Sequence, residues 1–163
     1  MFGGGAKLDR EQFFRGSALN AVDVKGRLSV PAFIRQKIER RSDEKILVLS
    51  LHPEFQCLVG YDSNHSAVMY DRAETRLGDN PDPFAELDMQ AGLFAGTSDV
   101  PYDTSGRILM PPRLKRRADI DDLAMFIGMG AEFQIWNPWV AFKSKSKALS
   151  ALAADLLEER KGS

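Results

Sequence analysis

Cysteine is almost absent from this sequence: Cys57 is the only one. No intramolecular disulfide can form, and one thiol with His52 and His65 makes no metal cluster, so a reducing compartment and no metal are expected. Long apolar runs are missing as well. A run such as Ile46 to Leu49 is far short of the roughly 20 residues needed to cross a bilayer. Met1 to Lys7 is glycine-rich without an apolar core, so it does not read as a signal peptide, and a cytoplasmic protein without a membrane partner is expected. Catalytic signatures are lacking too: there is no nucleophile elbow, Walker loop or dinucleotide fingerprint. Gly3-Gly4-Gly5 precedes no strand–helix junction. The expectation is a protein that is not an enzyme, with no cofactor and no small-molecule substrate.

Nor does one sign of charge dominate. The formal net charge is -1, which on its own argues against a polyanion partner. The distribution says more than the sum. One basic block holds Lys25, Arg27, Arg35, Lys37, Arg40 and Arg41, and a second holds Arg107, Arg113, Lys115, Arg116 and Arg117. Between them lie Asp71, Glu74, Asp79, Asp82, Glu86, Asp88 and Asp99. Binding responds to the local field, so two basic blocks around an acidic middle keep nucleic acid in play. With 44% hydrophobic and 28% charged residues the chain can also bury an ordinary core.

What is present is a repeat. Residues 22–31 read Val-Asp-Val-Lys-Gly-Arg-Leu-Ser-Val-Pro, and residues 102–111 read Tyr-Asp-Thr-Ser-Gly-Arg-Ile-Leu-Met-Pro. Asp, Gly, Arg and Pro recur in register. A basic stretch follows each, then an apolar run, then Glu-Phe-Gln, at 54–56 and again at 132–134. This order of shared features reads as a tandem duplication.

Each copy has a physical reading. Asp23 and Asp103 stand first, and Gly26 and Gly106 fourth, in type I turns; the carboxylate satisfies turn amides and the glycine takes the left-handed conformation that closes the bend. Strands Arg27 to Val30 and Arg107 to Met110 follow, each stopped by proline. Pro31 opens a helix with Ile34 and Ile38 on its buried stripe. Ile46 to Leu51 with Gln56 to Tyr61, and Leu123 to Met129 with Phe133 to Trp136, read as hairpins. Helices are predicted over Ser63 to Leu77, with Ser63 as its cap, over Phe84 to Gln90, and in one piece over roughly Pro138 to Arg160, striped by Leu149, Leu152, Leu156 and Leu157, with Lys161-Gly162-Ser163 frayed. Trp136 and Trp139 suit core or subunit packing better than base stacking.

Asp-x-x-x-Arg with Gly before the Arg and Pro four residues after it, present twice, resembles the signature of the MraZ family; so does Glu-Phe-Gln-Ile-Trp-Asn-Pro at 132–138. The resemblance covers roughly residues 13–145. The longer glycine-rich start and the tail from Ser146 depart from it. It implies an α+β, β-rich fold: two tandem AbrB-like swapped-hairpin modules packed as one pseudo-symmetric unit with flanking helices. The modules would span 13–78 and 91–145, with 79–90 as linker and 146–163 as a helical extension. It further implies a nucleoid-associated transcriptional regulator that binds double-stranded promoter DNA at direct repeats upstream of the division and cell-wall gene cluster, assembled as a ring-like homo-oligomer. Arg27 and Arg107 are the leading DNA contacts, because a guanidinium fork matches both phosphate and guanine edges. Asp23 and Asp103 would orient them. Lys25, Arg15, Arg35, Arg113 and Lys115 stand in a second tier, with Lys37, Arg116 and Arg117, and Thr104 and Ser105 are potential phosphate donors. The rival is a ring-forming scaffold or an AbrB-like antitoxin that binds a protein partner.

Overall fold

Proline and turn residues set the limits of short elements, and alternation sets their faces. The computed structural model describes residues 8–162; the glycine-rich Met1 to Lys7 and the terminal Ser163, with the expectations placed on them, lie outside the described residues. The strands are β1 (Ser17–Ala21), β2 (Arg27–Ser29), β3 (Ile46–Leu51), β4 (Leu58–Tyr61), β5 (Ser98–Pro101), β6 (Arg107–Leu109), β7 (Leu123–Gly128) and β8 (Phe133–Trp136). The α-helices are α1 (Ala32–Arg41), α2 (Ser66–Leu77), α3 (Pro83–Gln90), α4 (Pro112–Arg117), α5 (Pro138–Phe142) and α6 (Lys147–Lys161). The fold is mixed α+β with antiparallel pairing throughout. Among the described residues no helix is long and apolar enough to cross a membrane.

Six strands form one sheet in the order β1-β7-β8-β4-β3-β5, and β2 with β6 forms a separate ribbon. Match β1 with β5, β3 with β7 and β4 with β8, as the repeat does, and the sheet order reads the same from either end. The copies are therefore interleaved: β1 pairs β7, β3 pairs β5 and β4 pairs β8 across the repeat.

Period-2 alternation divides the side chains of the sheet between two cores. Leu47, Leu49, Ala124 and Phe126 face one core with Leu28 and Ile108 of the ribbon, Ile34 and Ile38 of α1, and Leu114 of α4. Met125 and Ile127 face the other, with Trp136, Cys57, and Ala153 of α6, against which Leu149, Leu152 and Leu156 pack. Each fully buried large aliphatic side chain contributes about 1.5–3 kcal/mol, so the sheet is clamped from both sides.

Two expectations are corrected here. Ser63 does not cap a helix: it opens a 3-10 turn, Ser63–His65, whose N-cap is Asp62, and its hydroxyl meets Ser42 Oγ at 3.0 Å. The C-terminal helix is two helices, because Ser146 accepts from Leu149 N and starts α6 afresh after α5 has been capped by Asn137. Of the two tryptophans, Trp136 lies in the core and Trp139 is 49% exposed on this chain.

The basic run at the end of α1 is split: Arg40 is exposed and Arg41 is not. Arg41 is sealed in, 2.8 Å from an equally buried Asp62, and its guanidinium lies 4.6 Å from the centroid of Phe14. Burial pushes the Arg41 guanidinium down from its ordinary value, against the pull of Asp62 and Glu132. Removing one partner of such a pair leaves an uncompensated charge inside. Asp62→Ala is therefore expected to lower unfolding free energy by about 3–5 kcal/mol, measured by urea denaturation; a loss under about 1 kcal/mol would show that water solvates Arg41 in place of Asp62.

Candidate nucleic-acid interface

Both tight turns are built by the same bonds. In the first, Asp23 Oδ1 accepts from the amides of Lys25 and Arg27, each at 2.9 Å, and Gly26 N donates to Asp23 O at 2.9 Å. In the second, Asp103 Oδ1 accepts from Ser105 and Arg107 amides at 2.9 Å, and Gly106 N donates to Asp103 O at 2.9 Å. Gly26 has φ +84° and Gly106 φ +80°, a region where a Cβ is strained. The sequence dictates this geometry locally: carboxylate first, glycine fourth.

The strands that leave these turns pair with each other. Leu28 lies opposite Ile108, Arg27 opposite Leu109 and Ser29 opposite Arg107. The ladder extends to the turns, since Met110 N donates to Gly26 O at 2.9 Å and Val30 N to Gly106 O at 2.8 Å. Each turn is thus pinned by the other copy. Leu28 and Ile108 are buried, which leaves Arg27, Ser29, Arg107 and Leu109 on one exposed face. On a strand pair, residues diagonal in this way are neighbours.

The two arginine side chains are half exposed, 51% for Arg27 and 49% for Arg107. Asp23 Oδ2 lies 2.8 Å from Arg27 Nε and 3.9 Å from Arg107 Nη2, so one carboxylate addresses both. The Arg27 amide, with the Arg27 side chain and the Lys25 amide, holds the Asp23 carboxyl below its usual range despite some desolvation. Asp23 therefore stays ionised and orients its neighbours. Lys25, Thr104 and Ser105 stand exposed at the turn tips.

The second-tier cations scatter. Arg35 Nε donates to Val30 O at 3.0 Å and its side chain lies over Gly106, so it braces the second turn from α1. Arg113 donates to Gly96 O at 2.9 Å, and Lys115 is half-buried on α4. Arg15 is exposed but precedes β1, whereas the first turn follows it; the strand's length of roughly 17 Å keeps them apart. Lys37 Nζ donates to Glu11 O at 2.5 Å and Arg40 pairs with Glu11 at 3.1 Å, so both fasten the segment that leads into β1. Much of the first basic block is thus engaged by the protein's own groups, although only Arg41 is buried. The ribbon face also carries Ser29 and Leu109, which the sequence reading did not single out. Strand alternation places each on the same face as its own arginine, but only the β2–β6 pairing brings the two faces together.

A second polar cluster lies across the sheet from these turns in sequence and in role. Glu132 accepts from Arg72 and meets His65 Nε2 at 2.6 Å. Burial alone would raise its carboxyl, but His65 and Arg72 hold it below the usual range. It ties α2 to the β7–β8 turn.

The family model described as "MraZ protein, putative antitoxin-like" matches residues 93–159. A "Transcriptional regulator MraZ" of Coxiella burnetii (strain RSA 493 / Nine Mile phase I) is 36% identical over 125 residues, which span 76% of this chain and 79% of that protein. One of the same name from Gluconobacter oxydans (strain 621H) is 34% identical over 144 residues, 84% of this chain and 83% of its own length. Another, from Azotobacter vinelandii (strain DJ / ATCC BAA-1303), is 33% identical over 138 residues, 83% and 88% respectively.

The brace by Arg35 has a measurable consequence. A Cβ on Gly106 would stand 2.5 Å from Arg35 Nε, whereas on Gly26 it would meet nothing nearer than 3.6 Å. Gly106→Ala is expected to destabilise more than Gly26→Ala by at least about 0.5 kcal/mol. The excess should vanish in an Arg35→Ala background. Equal losses for the two glycines in thermal or urea unfolding would remove Arg35 from this role.

Proposed function

The chain belongs to the MraZ family, and on that premise we propose that it regulates transcription by binding double-stranded DNA with the exposed face of the β2–β6 ribbon. The observation that carries the reading is the placement of Arg27 and Arg107 on one exposed face, at the ends of two identically built turns. A two-stranded ribbon fits the major groove, and a guanidinium that bonds a guanine edge in both positions is worth about 1–3 kcal/mol of discrimination. Asp23 and Asp103 repel phosphate; both hold their turns, and Asp23 also aims the arginines. Lys25, Thr104 and Ser105 reach phosphates at the tips, while Arg113 and Lys115 flank the ribbon on α4. Arg35 serves from behind, and Arg15 lies outside this face. The net charge of -1 is no obstacle, because the tips present cations locally.

The finer points rest on the family resemblance. The chain is read as two AbrB-like swapped-hairpin modules, 13–78 and 91–145, joined by 79–90 and extended by 146–163. Its target is the promoter of the division and cell-wall gene cluster, at short direct repeats. A ring-like homo-oligomer in the nucleoid would present many ribbons, so that each weak contact raises the effective concentration of the next.

A second reading has its own observation. Phe84, Leu87 and Phe94, on α3 and the turn after it, are 75%, 57% and 57% exposed. Exposed apolar side chains grouped in this way suit a protein partner, as in a scaffold or an antitoxin. That surface does not use the ribbon, so ribbon mutations separate the two readings.

Arg27→Ala and Arg107→Ala are each expected to weaken binding to the chain's own upstream DNA at least about tenfold, with circular dichroism and assembly size unchanged. A contact to phosphate would also reduce the salt slope by about one for each arginine removed. Wild-type affinity for both variants in an anisotropy titration would overturn the reading.

A further inference from the structure

The two turns share a backbone but not a surface. At the first tip Val24 is fully exposed, at 103%, beside the exposed Lys25. Leu109, 58% exposed on the opposite strand, leans over the same turn: its Cδ1 lies 3.8 Å from where a Cβ on Gly26 would stand. The equivalent positions at the second tip hold Thr104, Ser105 and Ser29, and Arg35 fills the space over Gly106. One end of the ribbon is therefore aliphatic with two cations, Lys25 and Arg27. The other presents hydroxyls around Arg107.

A lone exposed valine needs no explanation. Two exposed aliphatic side chains at one turn, one at its tip and one from the opposite strand, beside a guanidinium and on an otherwise polar face, are a different matter. On a DNA major groove the apolar group within reach of such a tip is the thymine 5-methyl. Hydroxyls and an arginine suit phosphate oxygens instead. Building on the DNA-binding reading above, we infer that the first turn reads a thymine 5-methyl group through Val24 and Leu109, while the second turn anchors on the sugar–phosphate backbone through Thr104 and Ser105. The ribbon then binds with one polarity, and its recognition site lacks a two-fold axis although the backbone has one.

The test compares two versions of the chain's upstream fragment, one amplified with dTTP and one with dUTP, which differ only by the thymine methyl. Wild-type protein is expected to bind the uracil fragment at least about fourfold more weakly, the worth of one buried methyl group. The double variant V24T/L109S gives the first tip the second tip's chemistry at two exposed positions, so its melting temperature should match wild type. It is expected to bind both fragments equally. Arg27→Ala serves as the comparator. Equal wild-type affinity for the two fragments, with Arg27→Ala still defective, would overturn this inference and leave the DNA-binding reading intact. The same preference in wild type and V24T/L109S would also overturn it, because the methyl would then be sensed elsewhere. Failure of wild type to bind either fragment would overturn both.

Discussion

The short antiparallel ladder between β2 and β6 is the constraint on which the rest depends. Three residue pairs, centred on Leu28 opposite Ile108, join a strand from each copy. Strands of this length are not stable alone. Here they hold because the turn before each is bonded to the end of the other, and because Leu28 and Ile108 pack into the core of the six-stranded sheet. The ladder hydrogen bonds contribute about 0.5–1.5 kcal/mol each, and burial of the two central side chains adds about 1.5–3 kcal/mol apiece. Pairing and burial together fix the alternation, and the alternation turns both arginines outward. A one-residue slip would bury them and expose the leucine and isoleucine.

Charge is distributed by the same logic. Seen as sequence, the cations from Lys25 to Arg41 form one block. In the fold they divide into four groups. Arg41 neutralises Asp62 inside the protein, and Lys37 and Arg40 hold the segment around Glu11. Arg35 supports the second turn from behind, while Lys25 and Arg27 remain on the surface. A charge count therefore overstates the footprint of the first block. What reaches solvent on the ribbon is small but concentrated at two tips, and a small cationic tip on a near-neutral chain favours recognition by geometry over bulk attraction.

Much of this was legible in the residues. Asp first and Gly fourth specify the turns without help from tertiary structure, and the repeat of Asp, Gly, Arg and Pro was visible by eye. The hairpins at Ile46 to Tyr61 and Leu123 to Trp136 followed from their apolar runs. Which strands pair was not legible, because alternation gives a strand's faces and never its partner. β1, Ser17–Ala21, and β5, Ser98–Pro101, carry mixed residues and owe their extended state to pairing with β7 and β3, so they left no local signal. The burial of Arg41 is not legible for a similar reason: its partner Asp62 arrives from beyond β4, and nothing near Arg41 announces it. The break before α6 could have been seen, since Ser146 is a competent cap three residues before Leu149.

The central claim is that both turns meet one polyanion at once. Hydrogen–deuterium exchange of the full chain, with and without its upstream DNA duplex, addresses it without any mutation. The account predicts slowed exchange in peptides that cover residues 23–27 and 103–107 together, at the same DNA concentration, with α2 and α3 unchanged. Protection of one turn alone, or of the helices while both turns exchange freely, would contradict it.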